Sequence, residues 1–278
     1  MEEKMDLLLK NGLVVTENEC KRVDIAVKNG KIAGLLERGS KTCCSEKEID
    51  CQGKVILPGA IDTHSHFFEP GEPSKYRDDF YTATMAAAAG GYTTCIEMPQ
   101  SIPPVVNKEA FLLKKKLATE KAVVDFALWG GLVPSSLDKI KELKEEGCVA
   151  FKAFTSDAGP DYEMCSDYDL LEGMKIVKAV GGLVGIHAEN DSICRKMTEY
   201  YRGMKTICPE YHEASRPWYA ELEAVSRCIL WSRITECPVM ICHLSIPEGA
   251  EQIKKEKEAG NKFIFAETCA HYLLFDTD

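Results

Sequence analysis

Two patterns of apolar positions divide the chain. In the first 57 residues, short apolar runs flank the tripeptides Lys10-Asn11-Gly12 and Lys28-Asn29-Gly30. Asn-Gly between apolar runs is a strong hairpin signal, because both residues accept a positive φ. A further apolar run at 55–57 stops at Pro58-Gly59. The pattern predicts a small antiparallel β subdomain over residues 1–57.

From residue 58 onward, short apolar runs alternate with amphipathic stretches, which predicts parallel strands covered by helices on both faces. A doubly wound sheet could hold these strands, although no glycine-rich phosphate fingerprint follows any of them. A barrel needs an eighth strand, and the chain stops at Asp278, just after the seventh. The seven strands are predicted at 60–66, 93–99, 125–132, 148–154, 183–189, 239–245 and 263–269. The helices are predicted at 75–89, 107–121, 135–146, 167–180, 217–235 and 247–259.

Composition and charge narrow the class of protein. The chain has 278 residues, of which 45% are apolar and 28% charged, and its length is typical of an α/β barrel. A net charge of −10 without a basic block makes nucleic acid a poor partner. The sequence shows neither a membrane span nor a signal peptide, and its thirteen cysteines include no C-x-x-C pair. These features predict a cytoplasmic enzyme that acts on a small molecule, with reduced and mostly structural cysteines.

Four of the six histidines fall at the carboxyl ends of predicted strands. His64 and His66 lie at the end of the first strand, His187 at the end of the fifth and His243 at the end of the sixth. Catalytic groups gather at this edge of a barrel. Residues two apart on a strand point to the same side, so two imidazoles can converge on one metal ion. A single H-x-H is a weak signal, but histidines at three strand ends predict a metal centre.

Lys152 lies in an apolar segment, 148–154. One interpretation is a lysine that extends from a strand end into water. The other is a buried lysine, for which burial disfavours the ammonium form, so that the neutral amine reacts with CO2. The resulting carbamate has two oxygens and can bridge two metal ions. Beside four strand-end histidines, the second interpretation is favoured.

At these residues the sequence resembles a known family. The segment 61–71, IDTHSHFFEPG, is similar to the first-strand signature of the cyclic amidohydrolases, which include dihydroorotase, allantoinase and hydantoinase (dihydropyrimidinase). Other family motifs occur in the family's order: Glu97-Met98-Pro99, Phe151-Lys152-Ala153-Phe154, His187-Ala188-Glu189, Ser215-Arg216-Pro217, His243-Leu244-Ser245 and Glu267-Thr268-Cys269. The resemblance implies a (β/α)8-type TIM barrel over 58–278, here missing its last strand. Residues 1–57 would be the N-terminal part of a β-sandwich.

The resemblance also implies a binuclear metal centre. His64 and His66 would bind the more buried ion, His187 and His243 the more exposed one, and carbamylated Lys152 would bridge them. Zinc is the default metal for imidazole-rich sites. The catalytic general base would be an aspartate of the eighth strand, expected beyond residue 278. The chain alone is therefore expected to be poorly active, and the complete protein to be a homo-oligomer, a dimer or tetramer.

Two positions close to the first two predicted strands are expected to contact the substrate. Phe68 and Gln100 stand where dihydroorotases carry the Arg and Asn that bind the substrate carboxylate, which disfavours dihydroorotate. Asp157 stands where hydantoinases carry a tyrosine that stabilises the oxyanion.

The motifs are most similar to those of allantoinases at 66–71, 98–104 and 267–273, although Phe68 replaces an Asn and one residue is missing before Ser-Ile-Pro-Pro. His271 is expected to contact the substrate near the mouth. The favoured reaction is hydrolysis of allantoin to allantoate, with hydantoinase, dihydropyrimidinase or dihydroorotase activity as the alternative. A metal-free scaffold protein related to dihydropyrimidinase is the non-enzyme alternative, which the intact ligand set disfavours.

Three glutamates that follow strands, Glu97, Glu189 and Glu267, are expected either to orient ligands or to lie solvated at the rim. Ser215-Arg216-Pro217 fits the start of a helix, with Ser215 as its N-cap, and is given only a minor functional role.

Overall fold

The computed structural model describes residues 4–40, 44–67, 69–71, 78–204 and 208–275. Its contacts divide the chain into two compact units, Met1–Ala60 and Ile61–Asp278. None of the helices in the described ranges combines the length and apolar character needed to span a bilayer.

The first unit is a six-stranded sheet in which β1, β2 and β4 all pair with β3 in antiparallel fashion. Two further strands pair in parallel, β5 with β1 and β6 with β2, so the sheet is mixed rather than purely antiparallel as predicted. The strands are β1 Met5–Lys10, β2 Leu13–Val15, β3 Cys20–Lys28, β4 Lys31–Glu37, β5 Ser45–Asp50 and β6 Val55–Ile56.

The two Asn-Gly signals have different outcomes. Asn29 and Gly30 have φ values of 51° and 71° and join β3 to β4 as a tight hairpin, as predicted. The hairpin predicted at Lys10-Asn11-Gly12 is wrong, because β1 and β2 run one after the other along the same partner, β3. Asn11, at φ 64°, produces the irregularity between them, and its amide donates to the buried Asp24 carboxylate at 2.8 Å.

The second unit contains all seven predicted strands, in parallel register wherever the pairing is defined. The third predicted strand is interrupted at Trp129, whose amide donates to Glu97 O while the amide of Gly130 donates to Ala150 O. This strand therefore passes from a three-stranded sheet into a five-stranded one. The strands are β7 Ala60–Ser65, β8 Tyr92–Glu97, β9 Asp125–Leu128, β10 Gly130–Gly131, β11 Phe151–Phe154, β12 Val184–His187, β13 Val239–Ile241 and β14 Ile264–Ala266.

Helices alternate with these strands, and two of them were not predicted from the sequence. These two, α5 and α6, lie between β12 and the predicted helix 217–235, and α5 has only one fully buried residue, Cys194. Ser215 ends α6 and does not cap α7, whose N-cap is Pro217, so that part of the prediction is wrong. The α-helices are α1 Phe80–Ala89, α2 Lys108–Lys121, α3 Ile140–Glu145, α4 Asp167–Ala179, α5 Asp191–Arg202, α6 Glu210–Ser215, α7 Trp218–Thr235 and α8 Pro247–Glu258. Two 3-10 helices are Pro134–Lys139 and Ala270–Leu273, and positions 75–77 of the first predicted helix lie outside the described residues.

A buried ion pair joins α2 to the carboxyl ends of the first strands. The side chains of Lys114 and Glu97 are both fully buried, with Lys114 Nζ 3.0 Å from Glu97 Oε1 and 2.6 Å from Met98 O. The second carboxylate oxygen of Glu97 accepts a hydrogen bond from the amide of Phe67 at 2.9 Å. Burial lowers the pKa of Lys114, and Glu97 opposes that shift. Through the hydrogen bond from Phe67 to Glu97, the pair therefore fixes the backbone next to His66.

We expect Lys114→Met to destabilise the fold by about 3–5 kcal/mol, because the Glu97 carboxylate is left charged and buried without its cation. Urea unfolding at neutral pH measures this loss. Lys116→Met is the matched control, since Lys116 lies on the same helix in an exposed pair with Glu120, and it should change stability by less than about 0.5 kcal/mol. Equal losses in the two variants would contradict the role given to the buried pair.

Candidate metal centre

The structure brings the four strand-end histidines into one cluster. His64 Nε2 and His66 Nε2 are 3.1 Å apart, and His187 Nδ1 and His243 Nε2 are 3.2 Å apart. The rings of His64 and His243, with centroids 5.4 Å apart, join the two pairs. His64 belongs to β7, His187 ends β12, and His66 and His243 follow β7 and β13. Nitrogen atoms this close to one another, on three strand ends, are suited to bind metal ions.

Lys152 lies on β11 between two glycines, Gly131 of β10 and Gly185 of β12. Its side chain is fully buried, so it does not extend into water. Nζ forms no hydrogen bond with any residue that the structure describes and lies 4.9 Å from the ring centroid of Phe154. A buried ammonium without an anionic partner is strongly unfavourable. This lysine therefore fits a modification that replaces its positive charge by a bridging anion.

The two glycines beside Lys152 occupy crowded positions. A Cβ atom at Gly185 would lie 2.7 Å from the ring of Trp129, whose indole nitrogen donates to Thr63 O at 3.1 Å. A Cβ atom at Gly131 would lie 2.8 Å from the hydroxyl of Tyr162, which donates to Lys152 O at 2.8 Å. The strand of Lys152 is therefore closely enclosed on both sides.

Carboxylates hold two of the four imidazoles. Glu267 hydrogen-bonds His64 Nδ1 and accepts from Thr63 Oγ1 at 3.1 Å. Glu189 Oε2 lies 2.5 Å from His187 Nε2. Each contact fixes the ring orientation and leaves the other nitrogen, His64 Nε2 or His187 Nδ1, directed at the cluster. This is the arrangement in which carboxylates orient metal-binding histidines, so these two glutamates are not solvated rim residues.

The protonation states suit metal binding. Burial, assisted by the charge of Lys152, lowers the pKa of His243 to about 2, so this imidazole is neutral and its nitrogen is free to act as a ligand. Burial opposes ionisation of Glu267 and Glu189, but hydrogen bonds from His64 and His187 lower the pKa of both carboxyls below the usual value. The cluster therefore combines one neutral imidazole, that of His243, with the anionic carboxylates of Glu267 and Glu189.

A buried thiol also belongs to this cluster. Cys242, which the sequence places in an apolar run, offers its sulfur within 4.8 Å of donor atoms of His64 and Glu267. Burial raises the pKa of this thiol to about 11, which keeps it protonated at neutral pH. Its position directly before His243 in the sequence was the one signal that could have indicated a place in the site. All twelve described cysteines are free.

A cavity of about 480 Å³ opens above His187 and His243. Its wall carries the carboxylates of Asp157, Glu189, Glu213 and Glu221 and one guanidinium, that of Arg216. Tyr272 and Ser245 add hydroxyl groups. The cavity thus offers hydrogen-bonding groups in a surrounding that disfavours anions.

The residues predicted to read the substrate are not gathered at this cavity. Gln100 is half-buried in the loop after β8, and His271 is exposed with its ring 4.6 Å from that of Tyr272. Neither lines the cavity above the histidines. Phe68 lies outside the described residues. The substrate-binding roles of Phe68, Gln100 and His271 stay predictions.

Comparison with known proteins identifies the family. The model of the amidohydrolase family matches residues 55–267. Allantoinases of Escherichia coli O9:H4 (strain HS) and of strain K12 are 37% and 36% identical to the chain, over 98% of its length and 60% of theirs. The chain thus spans about 60% of the length of the curated relatives it matches.

Solved structures show the same fold. The L-hydantoinase (dihydropyrimidinase) from Arthrobacter aurescens has a TM-score of 0.92 and 32% identity, over 99% of this chain and 60% of that one. The dihydropyrimidinase from Brevibacillus agri NCHU1002 has a TM-score of 0.87 and 27% identity, over 98% of this chain and 59% of that one. The likeness confirms the predicted α/β barrel class with an N-terminal β subdomain. Members of the amidohydrolase superfamily generally depend on two metal ions, and this chain belongs to the amidohydrolase family.

Proposed function

We propose that this protein hydrolyses an amide bond in a small cyclic ureide, with allantoin as the substrate and allantoate as the product. The observation that carries the proposal is a cluster of four histidines beside a fully buried lysine, Lys152, whose charge acts on His243 and whose Nζ forms no hydrogen bond with any described residue. A metal-free scaffold protein has no use for such a donor set. The relatives named allantoinase support the substrate.

In this proposal the cluster holds two divalent cations, with zinc as the expected metal. His64 and His66 would hold one ion, His187 and His243 would hold the other, and Lys152, as a carbamate, would supply an anionic ligand to both. Carbamate formation would join Nζ of Lys152, as a free amine, to the carbon of CO2: an N–C bond forms, one C=O π bond opens to an oxyanion, and an N–H bond breaks with release of its proton to water. The product is an anion at a position where the structure has a buried amine without a hydrogen-bond partner among the described residues.

When bound, two such ions lower the pKa of a shared water and polarise the carbonyl of the ring. The side chains of the protein supply the positioning. Glu267 and Glu189 keep the His64 and His187 rings oriented, and the neutral state of His243 keeps its nitrogen available. Proton transfer to the leaving nitrogen is not assigned to a described residue of this chain.

The groups that line the cavity favour a ring without a carboxylate. Among the described residues, the lining has one guanidinium, that of Arg216, which is itself paired with Glu189. The carboxylate of dihydroorotate would lack a free guanidinium partner there, which disfavours this substrate. Hydrolysis of hydantoins or dihydropyrimidines is the second candidate, supported by the likeness to the Arthrobacter aurescens hydantoinase. The cytoplasmic location, the homo-oligomeric state and the division into 1–57 and 58–278 stay predictions.

Lys152→Ala should lower the metal content from two ions per subunit to one or fewer, because the bridging anion is lost. Small carboxylic acids added to the variant should restore part of the second ion and part of the activity. Metal analysis of the purified protein measures the content, and Lys175→Ala, a lysine in an exposed ion pair with Glu172, is the control. An unchanged content of two ions in Lys152→Ala would exclude the carbamate role.

Substrate preference is tested by offering allantoin, a 5-substituted hydantoin and dihydroorotate to the metal-loaded protein in parallel. We expect kcat/KM to be highest for allantoin and lowest for dihydroorotate. A site that hydrogen-bonds one ring discriminates by up to about 10⁴, because its buried polar groups stay unpaired with another. A preference for dihydroorotate would show that a cation in the cavity binds the carboxylate. A preference for hydantoins would assign the second candidate function.

A further inference from the structure

Arg216 is connected to the histidine cluster through a carboxylate. Its guanidinium donates a hydrogen bond from Nη1 to Glu189 Oε2, the same oxygen that lies 2.5 Å from His187 Nε2. The contact links residues 27 positions apart in the sequence. The three side chains therefore form a continuous relay from the junction of α6 and α7 to one member of the His187–His243 pair.

The carboxylate in the middle of this relay is held on several sides. Only 14% of the Glu189 side chain is exposed, and its other oxygen lies 3.7 Å from the thiol of Cys194. Thr155 Oγ1 accepts from the amide of Glu189 at 2.9 Å and donates to the carbonyl of His187. The contacts of Thr155 fix the backbone around Glu189. The carboxylate oxygen Oε2 is contacted by Arg216 and, at 3.5 Å, by the hydroxyl of Ser156.

The position of Arg216 is set by the packing of α7 on the loop after β12. The amide of Asn190, the residue after Glu189, donates to Ala220 O in the first turn of α7 at 3.0 Å. The side chain of Asn190 donates to Glu223 at 2.6 Å. Because α7 is bound to this loop independently of the ion pair, the guanidinium is placed beside Glu189 before any ligand enters.

The two carboxylate–histidine contacts of the site are held differently. The Glu267 carboxylate that orients His64 is supported by a hydroxyl, that of Thr63. The Glu189 carboxylate that orients His187 is supported by a guanidinium. An arginine neutralises and directs a carboxylate more strongly than a hydroxyl does, since the hydrogen bond is charge-assisted. The carboxylate on the His187 side of the centre thus accepts from a charged donor, whereas the one on the His64 side accepts from a hydroxyl.

We propose that Arg216 is a positioning residue for the metal ion bound by His187 and His243. By anchoring Glu189, it holds the His187 ring with Nδ1 directed at His243 and keeps Nε2 as the hydrogen-bond donor. This inference rests on the proposed function, because it assigns the second ion to these two histidines. It replaces the minor role predicted for Ser215-Arg216-Pro217.

The test uses the purified protein and measures the affinity for each of two Co²⁺ ions by titration and visible absorption. In Arg216→Gln, we expect the Kd of one ion to rise about 10-fold or more, as is typical when a group behind a ligand is lost. The other ion should be retained. Arg216→Lys, which keeps the charge, should recover part of the affinity.

Two further variants make the test specific. Glu189→Gln/Arg216→Gln should bind the second ion no more weakly than Glu189→Gln alone, because Arg216 acts through Glu189. Arg233→Gln is the matched control, since Arg233 lies on α7 in an ion pair with Glu256, and both Kd values should stay as in the unchanged protein.

Three results would overturn the inference. Unchanged Co²⁺ affinities with a raised KM in Arg216→Gln would show that the guanidinium contacts the substrate directly. Unchanged affinities with a lower urea midpoint would show a purely structural ion pair. Additive losses in the double variant would show that Arg216 does not act through Glu189. Failure of the proposed function is distinguishable, because the unchanged protein would then bind fewer than two ions.

Discussion

The parallel register of the strands is the constraint on which the site depends. In a parallel sheet, all carboxyl ends lie at the same edge, so residues far apart in the sequence are brought together there. Phe154 pairs with His187 and Ile186 with Ile241, which places Lys152, His187 and His243 at successive levels of one edge. No local element could bring these side chains together, and their separation in the sequence is a direct result of this topology.

Compensation of buried charge governs the surroundings of the cluster. Glu97 is paired with Lys114 beneath His66, and Glu189 and Glu267 are each held by a histidine and a further donor. The exception among these groups is Lys152, which is as deeply buried as Lys114 but has no hydrogen-bond partner among the described residues. Lys114, which is paired, therefore has a structural role, whereas Lys152, which lacks such a partner, is the one proposed to be modified.

Elements with a strong apolar signal were predictable from the sequence, and contacts between distant polar residues were not. All seven barrel strands and the four histidines were found, because buried strands are apolar and histidine is rare in this chain. The hairpin at Asn11-Gly12 was wrong because Asn11 bonds to Asp24, a residue of a different strand. Helix α5 was missed, and only one of its residues, Cys194, is buried. The relay of Arg216 could not be seen in the sequence because its partner lies 27 residues away.

Lys152 is enclosed by two neighbours that have no side chain. Gly131 and Gly185 make no contact with the proposed ions, yet a Cβ atom at either would displace an aromatic side chain that supports the site, Tyr162 or Trp129. The absence of a side chain at Gly131 and Gly185 therefore leaves the room that Tyr162 and Trp129 occupy beside the strand of Lys152. In a library of single substitutions, these two glycines belong with the histidines among the least replaceable positions, although an inspection of ligands alone would pass over them.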